Sequence, residues 1–404
     1  MMAKSRKELS EGTLNIISSI ISILGGLLIG FLILILLEIT KSESTISTPF
    51  TVMRNFLTYP LQDSGKFIKV FYNAAPLILC GLAVGFAFKA GLFNIGATGQ
   101  YTLGAFFALV AAILWQFPWW AAMLVGMVVG AFWGFIPGFF KAVFNINEVI
   151  TTIMLNWAAL NLANLLLYNM PKLRIIPPYN RVDKLIARNP SALLPDLGLK
   201  ELLGTDFFNI GIIIAIVLAV VMFIVLNKTT FGYEVKACGF NKNASTYAGI
   251  KAKRTIIMTM VISGALAGIA GGVSFLAGTI QFNIESNLLA MGFNGIPVAL
   301  LANSHPLGII ASGLFIGYMQ VGGQAFEGVY SSEMTNVILS VIIYFSAFAL
   351  IVSQVIKNIQ KKNRLKRGES DEDGSESVSV PETDDSESED SPEGANAKTM
   401  EVSK

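Results

Sequence analysis

Long apolar runs separated by short polar breaks fill the chain from about residue 14 to residue 356. Runs of spanning length fall at about 14–38, 68–90, 99–117, 119–140, 149–168, 209–227, 255–278, 306–322 and 335–356. Each can cover a hydrocarbon layer of roughly 30 Å at about 1.5 Å per helical residue. A tenth run, about 288–303 ("NLLAMGFNGIPVALLA"), is short and broken by Gly292, Gly295 and Pro297. None alternates apolar and polar positions, as strands of a membrane barrel do. The pattern predicts an all-α polytopic membrane protein of about ten transmembrane helices, with short broken or re-entrant segments. The first run follows "MMAKSRKELSEG" and is longer than the apolar core of a cleaved signal peptide. It reads as a retained helix.

Charge adds sidedness. Residues 227–254 hold Lys228, Lys236, Lys242, Lys251, Lys253 and Arg254 against Glu234 alone, and 357–367 ("KNIQKKNRLKR") holds six bases and no acid. The positive-inside rule places both in the cytoplasm. Only three clear runs lie between them, so parity requires the broken run near 288–303 to cross as well. Both termini then lie in the cytoplasm, 1–13 forming the N-terminal segment, and 169–208 is an external loop despite six bases and four acids. The transmembrane region is 14–356. Of the chain's 27 acids and 29 bases, 13 acids and two lysines follow Arg367, leaving 1–367 with a net charge of +13. A Ser/Glu/Asp tail without aromatics, 368–404, cannot bury enough apolar area to order itself; it reads as a solvated tail.

Little in the chain can do covalent chemistry. "GATGQ" (96–100) lacks the lysine of a phosphate-binding loop. One histidine, His305, and two isolated cysteines, Cys80 and Cys238, make neither a metal site nor a catalytic pair. The apolar cores hold no charge; Glu38, Lys89, Lys141 and Glu148 fall at run ends. No catalytic residue, metal or cofactor is expected, and no nucleic-acid partner. A pathway without an ionisable group near the midplane has no evident ion coupling, so its energy comes from another subunit, or the chain is a stand-alone channel or carrier.

Polar residues within the runs are therefore the candidate pathway. Asn94, Thr98 and Gln100 lie in "FNIGATGQ", where helix packing, with Gly96 and Gly99 allowing close approach, is the alternative to lining the pathway. Glu148, Thr152 and Asn156, spaced i, i+4, i+8, form one helical stripe beside Asn147. The plainer reading of that stripe is capping by Asn147, a favourable Glu148 at the helix N-terminus, and Thr/Asn bonds to a neighbouring helix. Phe293-Asn294 repeats Phe93-Asn94 in a run of opposite direction, as two inverted halves would. In the basic loop, Asn241 or Asn243 could cap a short helix "ASTYAG" closed by Gly249, either as part of an ordinary loop or as a docking helix for a motor.

Four stretches, "FNIGATGQYTLGAF", "NEVITTIMLNW", "FGYEVKACGFNKNASTYAGI" and "GFNGIPVALLANSHPLG", together resemble the permease subunits of bacterial ABC importers for branched-chain amino acids, simple sugars and nucleosides. The resemblance covers about residues 70–355 and is nearest to the longer of the two nucleoside permeases. Thr98 stands where that form has an acid ("FNIGAEGQ"), and Asn294 where it has Asp ("GFDGIAVALL"). The resemblance implies a second permease subunit, a cytoplasmic ABC ATPase that binds the ATP, a substrate-binding lipoprotein, and membrane lipid around a multi-pass protein of the bacterial plasma membrane. It implies that Gly239, Asn241, Ala244, Tyr247 and Gly249 belong to the segment seated on the ATPase. The substrate would be a nucleoside, or a simple sugar such as ribose, with Asn294 joining the pathway residues above.

Overall fold

Out of water, a backbone must satisfy its own N–H and C=O groups, and an α-helix does so within one segment. The computed structural model describes residues 11–39, 47–169, 189–198, 207–326 and 332–346, with isolated positions at 201, 204, 205, 330, 348, 351, 352, 354–356, 358 and 359. All ten apolar runs are helical there. In chain order the helices are α1 (Glu11–Ile39), α2 (Ser47–Thr58), α3 (Ser64–Lys89), α4 (Ala97–Ile113), α5 (Trp119–Phe144), α6 (Glu148–Asn169) and α7 (Gly211–Lys228). There follow α8 (Thr230–Phe240), α9 (Lys242–Tyr247), α10 (Ala252–Leu276), α11 (Ala290–Leu301), α12 (Pro306–Gly322) and α13 (Ser332–Ser346). The described helices all lie in the unit Met1–Asn358. The external loop expected at 169–208 is mostly outside the described residues, as are residues 1–10, most of 357–367, and the acidic tail 368–404.

Among the described residues, seven helices are long and apolar enough to cross a membrane. Three of the ten runs form shorter helices: Ala97–Ile113, Ala290–Leu301 and an apolar stretch Asn336–Phe345. The run 99–117, expected at spanning length, thus forms a shorter helix than its apolar stretch. Its helix has 17 residues, about 25 Å, because it ends at Ile113, ahead of the turn at Gln116 (φ +56°) and of Pro118, which starts α5. Helix α8 also departs from the sequence reading, which leaves it in a loop. Its buried side, Gly232, Val235 and Cys238, recurs every three residues, but Tyr233, Glu234 and Lys236 interrupt it.

The loops gather at two ends. At one, the Lys89 ammonium donates to the Asn303 carbonyl (3.1 Å), the Ser19 hydroxyl to the Leu301 carbonyl (2.9 Å), and Lys141 pairs with Glu148 (2.8 Å). Helices α8 and α9, with their basic residues, belong to this end. At the other, the Leu194 N–H donates to the Leu276 carbonyl (3.0 Å), and the Asn189 amide to Ala112 (2.8 Å) and Phe117 (3.0 Å). There too the Asn164 amide reaches the Glu285 carbonyl (2.8 Å). Glu285 and Asn303 therefore flank α11 at opposite ends, so the broken run carries the chain from one end to the other although α11 has only 12 residues.

Helices α3 and α10 are the central pair, buried over most of their length. Helix α10 packs on α4 and α5; α3 packs on α11 and α12. Exchanging α3, α4 and α5 with α10, α11 and α12 maps each of these contacts onto another, and maps α4–α5 onto α11–α12. Helix α3 runs toward the basic end and α10 away from it. Contacts of this kind are those of two inverted halves.

Candidate functional site

Glycine and short amide side chains place the start of α4 deep in the bundle. The Asn94 amide nitrogen donates to the Ser263 hydroxyl on α10 (2.7 Å) and to Gln100 Oε1 (2.9 Å). Gln100 Nε2 returns a bond to Asn94 Oδ1 (3.3 Å), and the Ser263 hydroxyl donates to the Ala83 carbonyl on α3 (2.6 Å). One buried chain of bonds thus joins the loop before α4 to both central helices. Each bond satisfies a group that would be costly to leave unpaired away from water. The Thr98 hydroxyl differs: it is buried and has no partner for Oγ1. A Cβ on Gly292 of α11 would lie 2.6 Å from that oxygen, so the N-terminal turns of α4 and α11 meet here.

The α6 stripe divides by role. Asn147 Oδ1 accepts the Val149 N–H (2.8 Å) and caps α6. Glu148 turns back to Lys141 across the α5–α6 turn. The Thr152 hydroxyl donates to Val149 in its own helix (3.0 Å), not to a neighbour as the packing reading has it. Asn156 does cross between helices. Its Oδ1 accepts the Gly99 N–H (2.8 Å) and its Nδ2 donates to the Ile95 carbonyl (3.1 Å). A helix leaves its first N–H groups unpaired; here a side chain from α6 supplies the acceptor that Gly96, at the cap position, cannot. Asn94, Gln100, Thr152 and Asn156 are all buried. Asn147 is exposed and Glu148 half-buried.

Asn294 stands apart, half-buried. It lines a cavity of about 490 Å³ between α11 and α13 with Phe293, Ser340, Tyr344 and Phe348. The sequence reading does not single out those partners, because nothing local relates α13 to α11.

In the basic segment, Asn241 is the cap. Its Oδ1 accepts the N–H groups of Asn243 (3.0 Å) and Ala244 (3.1 Å). Gly249, at φ +85°, ends α9, where the Ile250 N–H reaches the Ser245 carbonyl (3.0 Å) and the Gly249 N–H that of Thr246 (3.0 Å). This pair of bonds is a Schellman closure. Ser245 and Cys238 face inward, 3.5 Å apart. Phe240 and Tyr247 are each 94% exposed; Phe240 is absent from the sequence reading, though an aromatic beside the capping Asn241 marks it. Gly239 seats the segment on the bundle: a Cβ there would lie 3.1 Å from the Ala90 carbonyl carbon and from the Gly91 nitrogen. The segment therefore rests on the chain that leads directly to Asn94.

Residues 67–347 match the model of the family described as branched-chain amino acid transport system / permease component. The chain is 32% identical over 355 residues to the guanosine ABC transporter permease protein NupP of Bacillus subtilis, covering 86% of this chain and 97% of that one. It is 40% identical over 293 residues to the nucleoside ABC transporter permease protein NupB of Lactococcus lactis, covering 70% and 79%. It is 32% identical over 297 residues to the glucose ABC transporter permease protein TsgB13 of Haloferax volcanii, covering 72% and 77%. No solved structure matches the chain.

Proposed function

The chain belongs to the family of branched-chain amino acid transport system permease components, and on that premise we propose that it forms the translocation pathway for nucleosides in an ATP-driven importer. It is a permease subunit and not an enzyme; hydrolysis falls to a separate ATPase. The observation that carries the nucleoside reading is the match along 97% of a guanosine permease. The glucose permease relative favours a simple sugar as the second reading.

The chemistry of the bundle agrees with a neutral solute. Glu38 is the one buried charged residue among those described, and it lies at the end of α1, where Tyr330 donates to it (3.4 Å). We place the solute against the α11–α13 cavity, where Phe293, Tyr344 and Phe348 offer ring faces and Asn294 and Ser340 hydrogen bonds. A base stacks on rings and its edge is read by an amide. The buried residues Asn94, Thr98, Gln100, Thr152 and Asn156 then hold α4 behind this surface, with Asn147 and Glu148 setting the start of α6.

In this proposal α8, α9 and the basic end are cytoplasmic, and Gly239, Asn241, Ala244, Tyr247 and Gly249 form the seat of the ATPase. A second permease completes the pathway and a lipoprotein delivers the substrate. Closure of the ATPase moves α9, and Gly239 transmits that movement to Lys89–Gly91 and so to the Asn94 network. The two states need contacts that differ between them; the seat of Gly239 supplies one. The test is binding of a nucleoside and sugar panel to the partner lipoprotein by calorimetry. Nucleosides binding at least as tightly as any sugar is the expected result. Binding of ribose or glucose with no nucleoside bound would transfer the role to the sugar reading.

A further inference from the structure

At the basic end, a cavity of about 760 Å³ lies between α1, the turn after α11 and the start of α12. Its size is within the range of small-ligand sites. Lys89, Asn303 and His305 line its polar side; Ile20 and Ile23 of α1 and Phe315 of α12 line its apolar side.

The polar side is basic and incompletely satisfied. Lys89 makes one bond, to the Asn303 carbonyl, and an ammonium has three donors. His305 Nδ1 accepts the Gly308 N–H (3.4 Å), which leaves Nε2–H as a donor. Among the described residues no carboxylate pairs with either base; the ion pair there is Lys141–Glu148. Lys236 stands within Coulombic reach of Lys89 and adds charge of the same sign. Burial, and then the Lys89 ammonium, hold His305 below its ordinary pKa; an anion between the two bases relieves that opposition.

The apolar side continues outward. Ile20, Leu24, Leu28, Leu32 and Leu36, four residues apart along α1, are all exposed. They form a strip that starts at the cavity and runs the length of a membrane-spanning helix. A free phosphate has no use for such a strip, whereas an acyl chain does. A basic head joined to an apolar trough between helices complements a negatively charged phospholipid.

We propose that this cavity is a binding site for an anionic phospholipid, its phosphate held by Lys89 Nζ and His305 Nε2 and an acyl chain laid along Ile20, Ile23 and Phe315. The lipid bridges α1 to α12 beside the point where Gly239 rests on the end of α3. The site does not depend on which solute the protein carries.

The test uses the complete transporter in neutral detergent, delipidated and then offered phosphatidylglycerol or phosphatidylcholine, with retention read by native mass spectrometry. Wild type is expected to retain phosphatidylglycerol preferentially, and the K89Q/H305Q variant to lose about tenfold of that affinity, while Lys89→Arg keeps it. Equal retention of the two lipids, or equal retention by wild type and K89Q/H305Q, overturns the proposal. Displacement of phosphatidylglycerol by millimolar inorganic phosphate would assign the site to free phosphate and overturn it too. If K89Q/H305Q does not fold, a phosphatidylglycerol with a photoreactive acyl chain decides the matter on wild type. Label on Ile20–Ile23 or Phe315 supports the site; label confined to other helices contradicts it.

Discussion

Asn156 shows how one amide can hold two helices. It closes the N-terminus of α4 from outside that helix, bonding Gly99 N–H and Ile95 C=O. Asn156→Ala leaves both groups unpaired in a dry interior and should cost roughly 1–3 kcal/mol. Asn161, exposed and bonded to Trp157 of its own helix, is the control; Asn161→Ala should change stability by less than about 0.5 kcal/mol. Thermal unfolding in detergent, followed by intrinsic fluorescence, separates the two; equal effects would remove the capping role. The i, i+4, i+8 stripe holding Asn156 is legible in the sequence, because helical periodicity is local. Its partner is not, since α4 lies 57 residues away and no local pattern pairs an amide with a particular backbone N–H. The same limit hid the bond from Asn94 to Ser263.

Among the helices, the contact between α5 and α10 is set by missing side chains. Gly126, Gly130, Gly134 and Gly138 recur every four residues on α5; the first three face Gly264 and Gly268, and Gly138 faces Ile257 and Met260. A Cβ on Gly130 would lie 2.8 Å from the Gly268 Cα, and one on Gly264 would run into the Gly130 carbonyl. Close backbone approach of this kind gives membrane helices their packing energy. Gly264→Ala and Gly130→Ala should each force the helices apart and cost roughly 1–3 kcal/mol. Gly25→Ala in α1, where no atom lies within 4 Å of the new Cβ, should be neutral or slightly stabilising. Monodisperse yield and unfolding temperature in detergent report all three. Loss of yield with Gly25→Ala equal to that with Gly264→Ala would contradict a packing role. Apolar runs made every long helix readable, because burial in lipid needs only length and hydrophobicity. Short helices were harder: α8 carries too many polar residues, and α2 buries Pro49, Val52 and Phe56, with Met53 packed beside them, between exposed positions. The four-residue glycine spacing was present in the sequence and names the α5 face directly.

For the whole molecule, the inverted exchange of α3–α5 with α10–α12 was hinted at by two residues, Phe-Asn at 93–94 and 293–294. It emerges fully only in the contacts, because the halves share packing far more than sequence. The short helix of the basic segment was better foreshadowed, since Asn241 and Gly249 are local start and stop signals. Its exposed aromatics are the expected anchors of the ATPase, as large rings dominate interface energies. Phe240→Ser with Tyr247→Ser should leave the chain inserted but release the ATPase on affinity purification; retained ATPase would remove that role from the segment. As a nucleoside permease of an ATP-driven importer, the chain should carry solute only under coupling to the ATPase. The most direct measurement is uptake of radiolabelled guanosine by liposomes holding the permeases, the ATPase and the lipoprotein. Uptake is expected to require ATP, to be competed by other nucleosides and to be unaffected by excess ribose or glucose. Uptake by this chain alone without ATP, or uptake of labelled sugar that nucleosides fail to compete, would contradict it.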